Sequence, residues 1–320
     1  MAKFILLRSL STLALMWVVS VLIFLGAEIL PGDPAQIALG MFATEDSVAA
    51  LREEMGLNRP AIERYFDWLG GAVQGDFGRS LVTKMDVSAF LGERVRNTTI
   101  LAGVTTLISV PLAITIGLTM AMYAGSAWDR GFSVIVLAFS ATPEFLIGTL
   151  AVLFFAVQLG WLPAVAYLTP GASFGRTAGA MAMPVLTLTL VLVAQMARMT
   201  RAVIANTLGE PYVEMATLKG VPFRRVVWRH ALVNSIGPIA NVVALNIAYL
   251  ISGVIVVETV FAYPGLARFM IDAVHARDMP LIQAGALIFC ASYVILVFIA
   301  DLIGRLSDPR AAHHRPGDNL

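Results

Sequence analysis

Residues 231–257 read ALVNSIGPIANVVALNIAYLISGVIVV, twenty-seven positions without an aspartate, glutamate, lysine or arginine. Crossing the hydrocarbon core of a bilayer takes about 20 helical residues. Lipid offers no hydrogen bonds to bare backbone, so such a run is expected to be a helix. It begins directly after the basic segment Arg224, Arg225 and Arg229.

The same signal recurs along the chain. Uncharged stretches cover Ser9–Ala27, Asn97–Trp128, Gly131–Pro143 continuing past Glu144 to Gly175, Thr177–Ala197 and Met279–Ala300. We read six spans at about 9–29, 98–123, 132–158, 182–204, 232–257 and 280–303. The composition agrees: 58% of residues are hydrophobic and 13% charged, against roughly 25% charged in soluble proteins. The fold class is therefore an all-α polytopic membrane protein. A closed barrel would need many short alternating strands, which long uniform runs do not supply. The first run has the Lys3 and Arg8 of a signal peptide, but its apolar core reaches about Leu30 and no small-residue cleavage site follows. It is read as an uncleaved first span.

Six spans place both termini on one side. The short segments of that side hold twelve lysines and arginines and the opposite short segments hold Arg176, Arg268 and Arg277. Positive charge favours the cytoplasmic side, so both termini are expected there. The 31–96 loop carries the remaining seven, and long loops translocate largely regardless of charge. It is too long for a connector and reads as a small external subdomain. Helical spacing appears in Ser47–Met55 and Pro60–Val73, and Gly75-Asp76-Phe77-Gly78 reads as a turn.

Several chemistries are missing. No G-x-x-x-x-G-K-S/T loop is present to cradle nucleotide phosphates. There is no H-E-x-x-H or G-x-S-x-G, and no histidine falls within the expected spans. The single cysteine, Cys290, forms no intrachain disulfide. A net charge of +1 and only three lysines give no basis for nucleic-acid binding. Catalytic and metal sites are therefore expected to be absent, and with them any cofactor held by this chain.

The segment Thr207–Ala231, between spans four and five, carries the clearest local pattern. Pro211 suits a helix start, Tyr212–Lys219 gives about two turns, and Gly220 supplies a left-handed stop. Pro222 opens a second helix with Phe223, Val226, Val227 and His230 on one face and Arg224, Arg225 and Arg229 on another. One reading is an ordinary basic loop lying on lipid headgroups. The sharper one is a knob that inserts into a groove on a cytoplasmic partner, with small Ala216 permitting close approach.

Here the sequence resembles a known family. Glu214-Met215-Ala216-x-x-x-Gly220 is similar to the EAA motif of ABC-importer permeases, whose form is E-A-A-x3-G-x9-I-x-L-P. Met215 replaces the first alanine, His230 the isoleucine and Val233 the proline, while Leu232 matches. Further strings resemble the B-type permeases of dipeptide, oligopeptide and nickel importers. These are Leu30-Pro31-Gly32-Asp33-Pro34-Ala35, Met55-Gly56-Leu57-Asn58-Arg59-Pro60, Gly75-Asp76-Phe77-Gly78-Arg79-Ser80 and Arg96-Asn97-Thr98. Val257-Glu258-Thr259-Val260-Phe261, Pro264-Gly265-Leu266, Ala276-Arg277-Asp278 and Asp308-Pro309-Arg310 follow in the same order.

The resemblance implies a type I ABC-importer permease fold in a bacterial inner membrane. This chain would form half of a pore for di- or oligopeptides, paired with a second homologous permease. Two cytoplasmic ATPases would bind the ATP and Mg, and an extracytoplasmic binding protein would deliver the cargo. Tyr212, Glu214, Met215, Ala216, Lys219, Gly220, Arg224 and Arg225 would couple the pore to the ATPases. Nickel chelates or glutathione-like solutes are alternative cargoes. A secondary transporter is a different class, but it would normally show inverted repeats and more intramembrane ionisable groups, and neither is evident. On this reading the chain divides into 1–30 (cytoplasmic N-terminus and first span), 31–96 (periplasmic subdomain), 97–304 (five-helix core with coupling segment 207–231) and 305–320 (cytoplasmic tail).

Inside the expected spans, Glu144 is the one ionisable residue at depth. A carboxylate there is costly, at least about 2.5 kcal/mol on insertion scales, and should face protein or water. It is either a pore-facing group for a cationic substrate, or a carboxyl buried between helices, or a residue nearer an interface. Asn234, Asn241 and Ser252 fall on one stripe at 100° per residue. The stripe lines the pore or forms a helix–helix seam. Pro111, Pro184 and Pro238 are expected at kinks or helix starts.

Overall fold

The long uncharged runs are helices in the computed structural model, which describes residues 2–29, 32–168 and 171–306. Leu30, Pro31, the Asp308-Pro309-Arg310 string, His313, His314 and the tail from 307 onward lie outside the described residues. In chain order the helices are α1 (Ala2–Ile29), α2 (Pro34–Leu39), α3 (Glu45–Glu54), α4 (Ala61–Gln74), α5 (Val87–Met122), α6 (Ala127–Ala141) and α7 (Glu144–Ala151). They continue with α8 (Phe174–Leu208), α9 (Pro211–Leu218), the single turn α10 (Phe223–Arg225), α11 (Leu232–Val260), α12 (Leu266–Ala276) and α13 (Met279–Leu306). Two stretches wind as π-helix, Val152–Gln158 after α7 and Val226–Ala231 between α10 and α11. Among the described residues there is one isolated β-bridge, Arg79 to Asp86, and no strand.

Five continuous helices are long and apolar enough to cross a membrane, and a bent pair makes a sixth if counted as one crossing. That pair corrects the expected third span. Instead of one continuous helix over 132–158, α6 and α7 meet at 103°. Proline clashes with the backbone of the residue before it and pushes that residue out of the helical region. Thr142 is accordingly extended, with φ −89° and ψ 128°, and its hydroxyl donates back to Ala138 O at 2.7 Å. Pro111, Pro184 and Pro238, by contrast, all lie inside helices and start none.

The chain forms two compact units, 1–99 with 264–294 and 100–263 with 295–320. In the first, Val87, Leu91, Leu266, Ala273, Leu281 and Ala284 make a buried core. Sequence strings that looked independent interlock there. Buried Asp278 accepts from the Ser80 hydroxyl and from the backbone N–H groups of Leu81 at 3.2 Å and Val82 at 3.3 Å. Asn97 donates to Pro264 O at 2.9 Å, and Leu266 N–H donates to the Thr98 hydroxyl at 2.8 Å. The helix α12 lies in a stretch for which the sequence had suggested no helix. Its Leu266, Phe269, Met270 and Ala273 have helical spacing, but eleven residues are too few for the span signal.

The second unit is built around α8, whose buried positions run from Ala180 to Ile204. It packs on α6, α7 and α11. At Gly117 of α5, an added Cβ would lie 2.6 Å from Ala197 O and 2.7 Å from Thr200 Cβ. Only glycine permits that approach, as expected where small residues let membrane helices close up. The string ending at Phe261 is a packing knot. Phe261 and Tyr263 are fully buried, Ala166 N–H donates to Phe261 O at 2.8 Å, and Gly148 leaves the space that the Phe261 ring fills.

Candidate coupling helix and intramembrane carboxylate

Helix α9 begins at Pro211, where the missing N–H costs nothing. It ends in a Schellman turn: Val221 N–H bonds Ala216 O at 3.2 Å and Gly220 N–H bonds Thr217 O at 2.9 Å. This closure requires a left-handed residue, and Gly220 has φ +78°.

Two faces of α9 differ. Val213 and Ala216 are buried against Leu208, Val221 and Val226. Ala216 therefore serves a close approach within the chain, where the sequence had suggested approach to a partner. Tyr212, Met215 and Leu218, spaced i, i+3 and i+6, are turned outward at 44%, 53% and 76% exposure. Glu214, Lys219, Arg224 and Arg225 are exposed beside them.

The expected second helix also differs in phase. Val226 and Val227 are buried, but Phe223 is exposed. The π-helical turn follows i→i+5 bonding, so Val226 and Ala231, five apart, both point inward. Phe223 and Trp228 stay outside. Trp228 and Leu218 were not singled out from the sequence. Apolar residues in a basic segment read as buried, and only the fold shows otherwise.

The seat of α9 is firm. Leu208 packs both on the α9 cluster and on a cluster of Leu118, Ala121, Ile204, Val227 and Ile239. Those residues belong to α5, α8, the π-turn and α11. Ser235 donates to the Thr207 hydroxyl at 2.9 Å. Lower on α8, Arg201 makes a bidentate pair with Asp129, with Nε–Oδ1 at 2.7 Å and Nη2–Oδ2 at 2.8 Å. Gly125 N–H donates to the same carboxylate at 2.9 Å. This brace ties the α5–α6 turn to α8. Arg201 entered the sequence reading only as a topological charge, because its partner lies 72 positions away.

Glu144 is the first residue of α7, just past the bend. Its carboxylate lies against α11 at Gly253, where an added Cβ would be 2.9 Å from Oε2. It is partly exposed, and among the described residues no donor or cation reaches it. The three polar residues of the α11 stripe have different surroundings. Asn234 is exposed and donates back to His230 O at 2.7 Å. Asn241 faces Gly304 of α13, its Oδ1 2.7 Å from where a Cβ would stand. Ser252 is exposed beside Gly253. Asn246, missed in the sequence, is buried and donates to Val242 O at 2.8 Å. Among the described residues no group of three or more His, Cys, Asp or Glu is placed to hold a metal ion.

The described chain is thus a helical protein with five helices that could cross a membrane, a sharply bent pair and a short outward-facing helix packed on its long ones. The chain belongs to the family of binding-protein-dependent transport system inner membrane components, whose family model matches residues 113–313, while the model for the N-terminal part of such components matches 1–118. It is an ABC transporter inner-membrane permease of the peptide and glutathione group. It is 35% identical over 310 residues to a probable peptide ABC transporter permease protein, y4tP, of Sinorhizobium fredii, covering 97% of this chain and 99% of that one. The glutathione transport system permease protein GsiC of Escherichia coli K12 is 33% identical over 309 residues, 97% of this chain and 98% of that protein. GsiC of Shigella dysenteriae matches to the same extent.

Proposed function

We propose that this chain forms half of a peptide-import pore, beside a second homologous permease, and takes its driving force from cytoplasmic ATPases through α9. The observation that carries the reading is the two-faced α9. Tyr212, Met215 and Leu218 are free for an apolar groove, the helix-in-groove mode of recognition. The opposite face is packed into the helices that would have to move. The charge count supports a cytoplasmic α9 with both termini on the same side. An extracytoplasmic binding protein hands over the cargo. Nucleotide binding favours one arrangement of the motor, and α9 transfers that preference to α5, α8 and α11 only through its difference in contact energy between the two states.

Glu144 is proposed as the pore carboxylate for the cargo's amino group. It is unpaired among the described residues, as a group awaiting a cation would be. The relatives' names favour peptides, with glutathione as a second cargo, and both carry a free α-amino group.

The test is uptake of a labelled dipeptide by ATP-energised vesicles holding the complete importer. Uptake should vanish without the motor subunits. A hydrogen bond to a charged group contributes about 1.5–3 kcal/mol, so Glu144→Gln should cut uptake of amino-free peptide roughly tenfold or more. It should leave an amino-acetylated peptide unaffected. Equal uptake of the free peptide by both proteins removes Glu144 from the site, and uptake without the motor removes the ATP-driven reading.

A further inference from the structure

Helix α4 has three faces. At 100° per residue, Arg64, Tyr65 and Trp68 share one, and that face meets α1. The Tyr65 and Ser20 hydroxyls bond at 2.9 Å, Phe24 packs edge-on to Tyr65 with centroids 5.5 Å apart, and Arg64 pairs with Glu28 through both nitrogens. The polar face holds Glu63, Asp67 and Gln74. Between them runs a stripe of Ile62, Phe66, Leu69 and Val73, in which Ile62, Phe66 and Val73 are 67%, 61% and 81% exposed. Among the described residues nothing covers those three.

The position of α4 indicates what does. Ser20 and Phe24 lie within the uncharged run Ser9–Ala27 of α1, and that run is about as long as the hydrocarbon core is thick. The contacts among the described residues join one turn of α4, Arg64–Trp68, to two turns of α1, Ser20–Glu28. Such a footprint belongs to crossed helices. With α1 along the membrane normal, such a crossing would set α4 toward the membrane plane. The Glu28–Arg64 pair lies at the polar edge of the run, and Tyr65 and Trp68 are the residue types that collect at membrane interfaces. The flank of α1 at this level, with Leu22, Leu25 and Ile29, is itself open and apolar.

We infer that α4 is an interfacial membrane helix. Its Ile62–Phe66–Val73 stripe is immersed in the acyl region of the leaflet that receives the Ile29 end of α1, and its Glu63–Asp67 face is in the headgroups. The occupant of the stripe is lipid, continuous with the lipid around α1, in the manner of other helices that lie in the bilayer interface. The segment between the first two crossings is then a collar at the membrane surface and not a water-borne subdomain. This rests only on α1 crossing the bilayer, and it holds whichever way the motor is attached.

Spin labels test it. Single cysteines are placed at 62, 66 and 73, at 63 and 67 on the polar face, and at 13 on α1 as the lipid standard, all with Cys290→Ala. The full chain is reconstituted with its co-purifying subunits in phosphatidylethanolamine/phosphatidylglycerol liposomes. Collision rates with oxygen and with a water-soluble nickel chelate are then compared. The expected result is oxygen-rich, nickel-poor labels at 62, 66 and 73, close to position 13, and the reverse at 63 and 67. Labels at 62, 66 and 73 open to nickel would overturn the proposal by placing the stripe in water. Labels shielded from both probes would overturn it by placing a protein there.

Discussion

A Gly220→Val chain should insert normally and lose at least roughly tenfold of its ATP-coupled uptake. The reason lies in the turn. Residue 220 closes the Schellman motif at φ +78°. An L-residue with a Cβ in the left-handed region costs roughly 1–2 kcal/mol, and a β-branched side chain is worse there. An added Cβ meets nothing within 4 Å, so the cost is conformational and not a clash. Relief comes by unwinding the bonds from Val221 to Ala216 and from Gly220 to Thr217, which re-aims Met215 and Leu218. Allosteric coupling typically amounts to about 1–3 kcal/mol, or 5–150-fold, so a loss of this size is enough to disconnect the motor. Gly220→Asn separates turn from contact, since asparagine adopts the left-handed region readily. It should keep most uptake. Normal uptake by the valine variant would show that the turn does not set the coupling.

Arg201→Met should destabilise the protein by about 3 kcal/mol. Removing one partner of a buried pair typically costs about 3–5 kcal/mol, and the lower figure applies because the Arg201 side chain is 35% exposed while Asp129 is at 6%. The remaining carboxylate keeps the Gly125 N–H and loses its cation. In a thermal melt of the purified chain this should appear as a fall on the order of 5 °C. The double variant Asp129→Asn, Arg201→Met should recover part of it, because no uncompensated charge remains. An unchanged melt for the single variant would mean that the brace bears no weight beneath α9.

The spans were legible because uncharged runs of nineteen to thirty-two residues, the third interrupted by Glu144, are long enough to cross a bilayer as helices. The turn at Gly220 was legible because a helix stop needs a particular backbone angle, which one residue type supplies. Other features depend on meetings that sequence distance conceals. Ser80 and Asp278 are 198 positions apart and Asp129 and Arg201 are 72 apart. Neither pair has a local pattern. A proline at 143 is a local signal, but a 103° bend also depends on what α7 packs against, including Gly253 and Phe261. The α11 stripe came from a uniform 100° step. Asn234 then bonds back to its own helix and Asn241 faces Gly304, surroundings that a shared direction does not reveal. The inward Val226–Ala231 face was hidden for a related reason: a π-turn changes the step itself.

On the proposed function, α9 lies on the motor. The direct test is a cysteine at Leu218, with Cys290→Ala, cross-linked in native membranes by a short bifunctional maleimide. The expected product joins this chain to an ATPase subunit, its yield changes between nucleotide-free and ATP-trapped states, and a membrane-impermeant maleimide blocks it only in inside-out vesicles. A position 218 that is blocked from the outside of right-side-out vesicles, or that never joins an ATPase in any nucleotide state, would contradict the assignment.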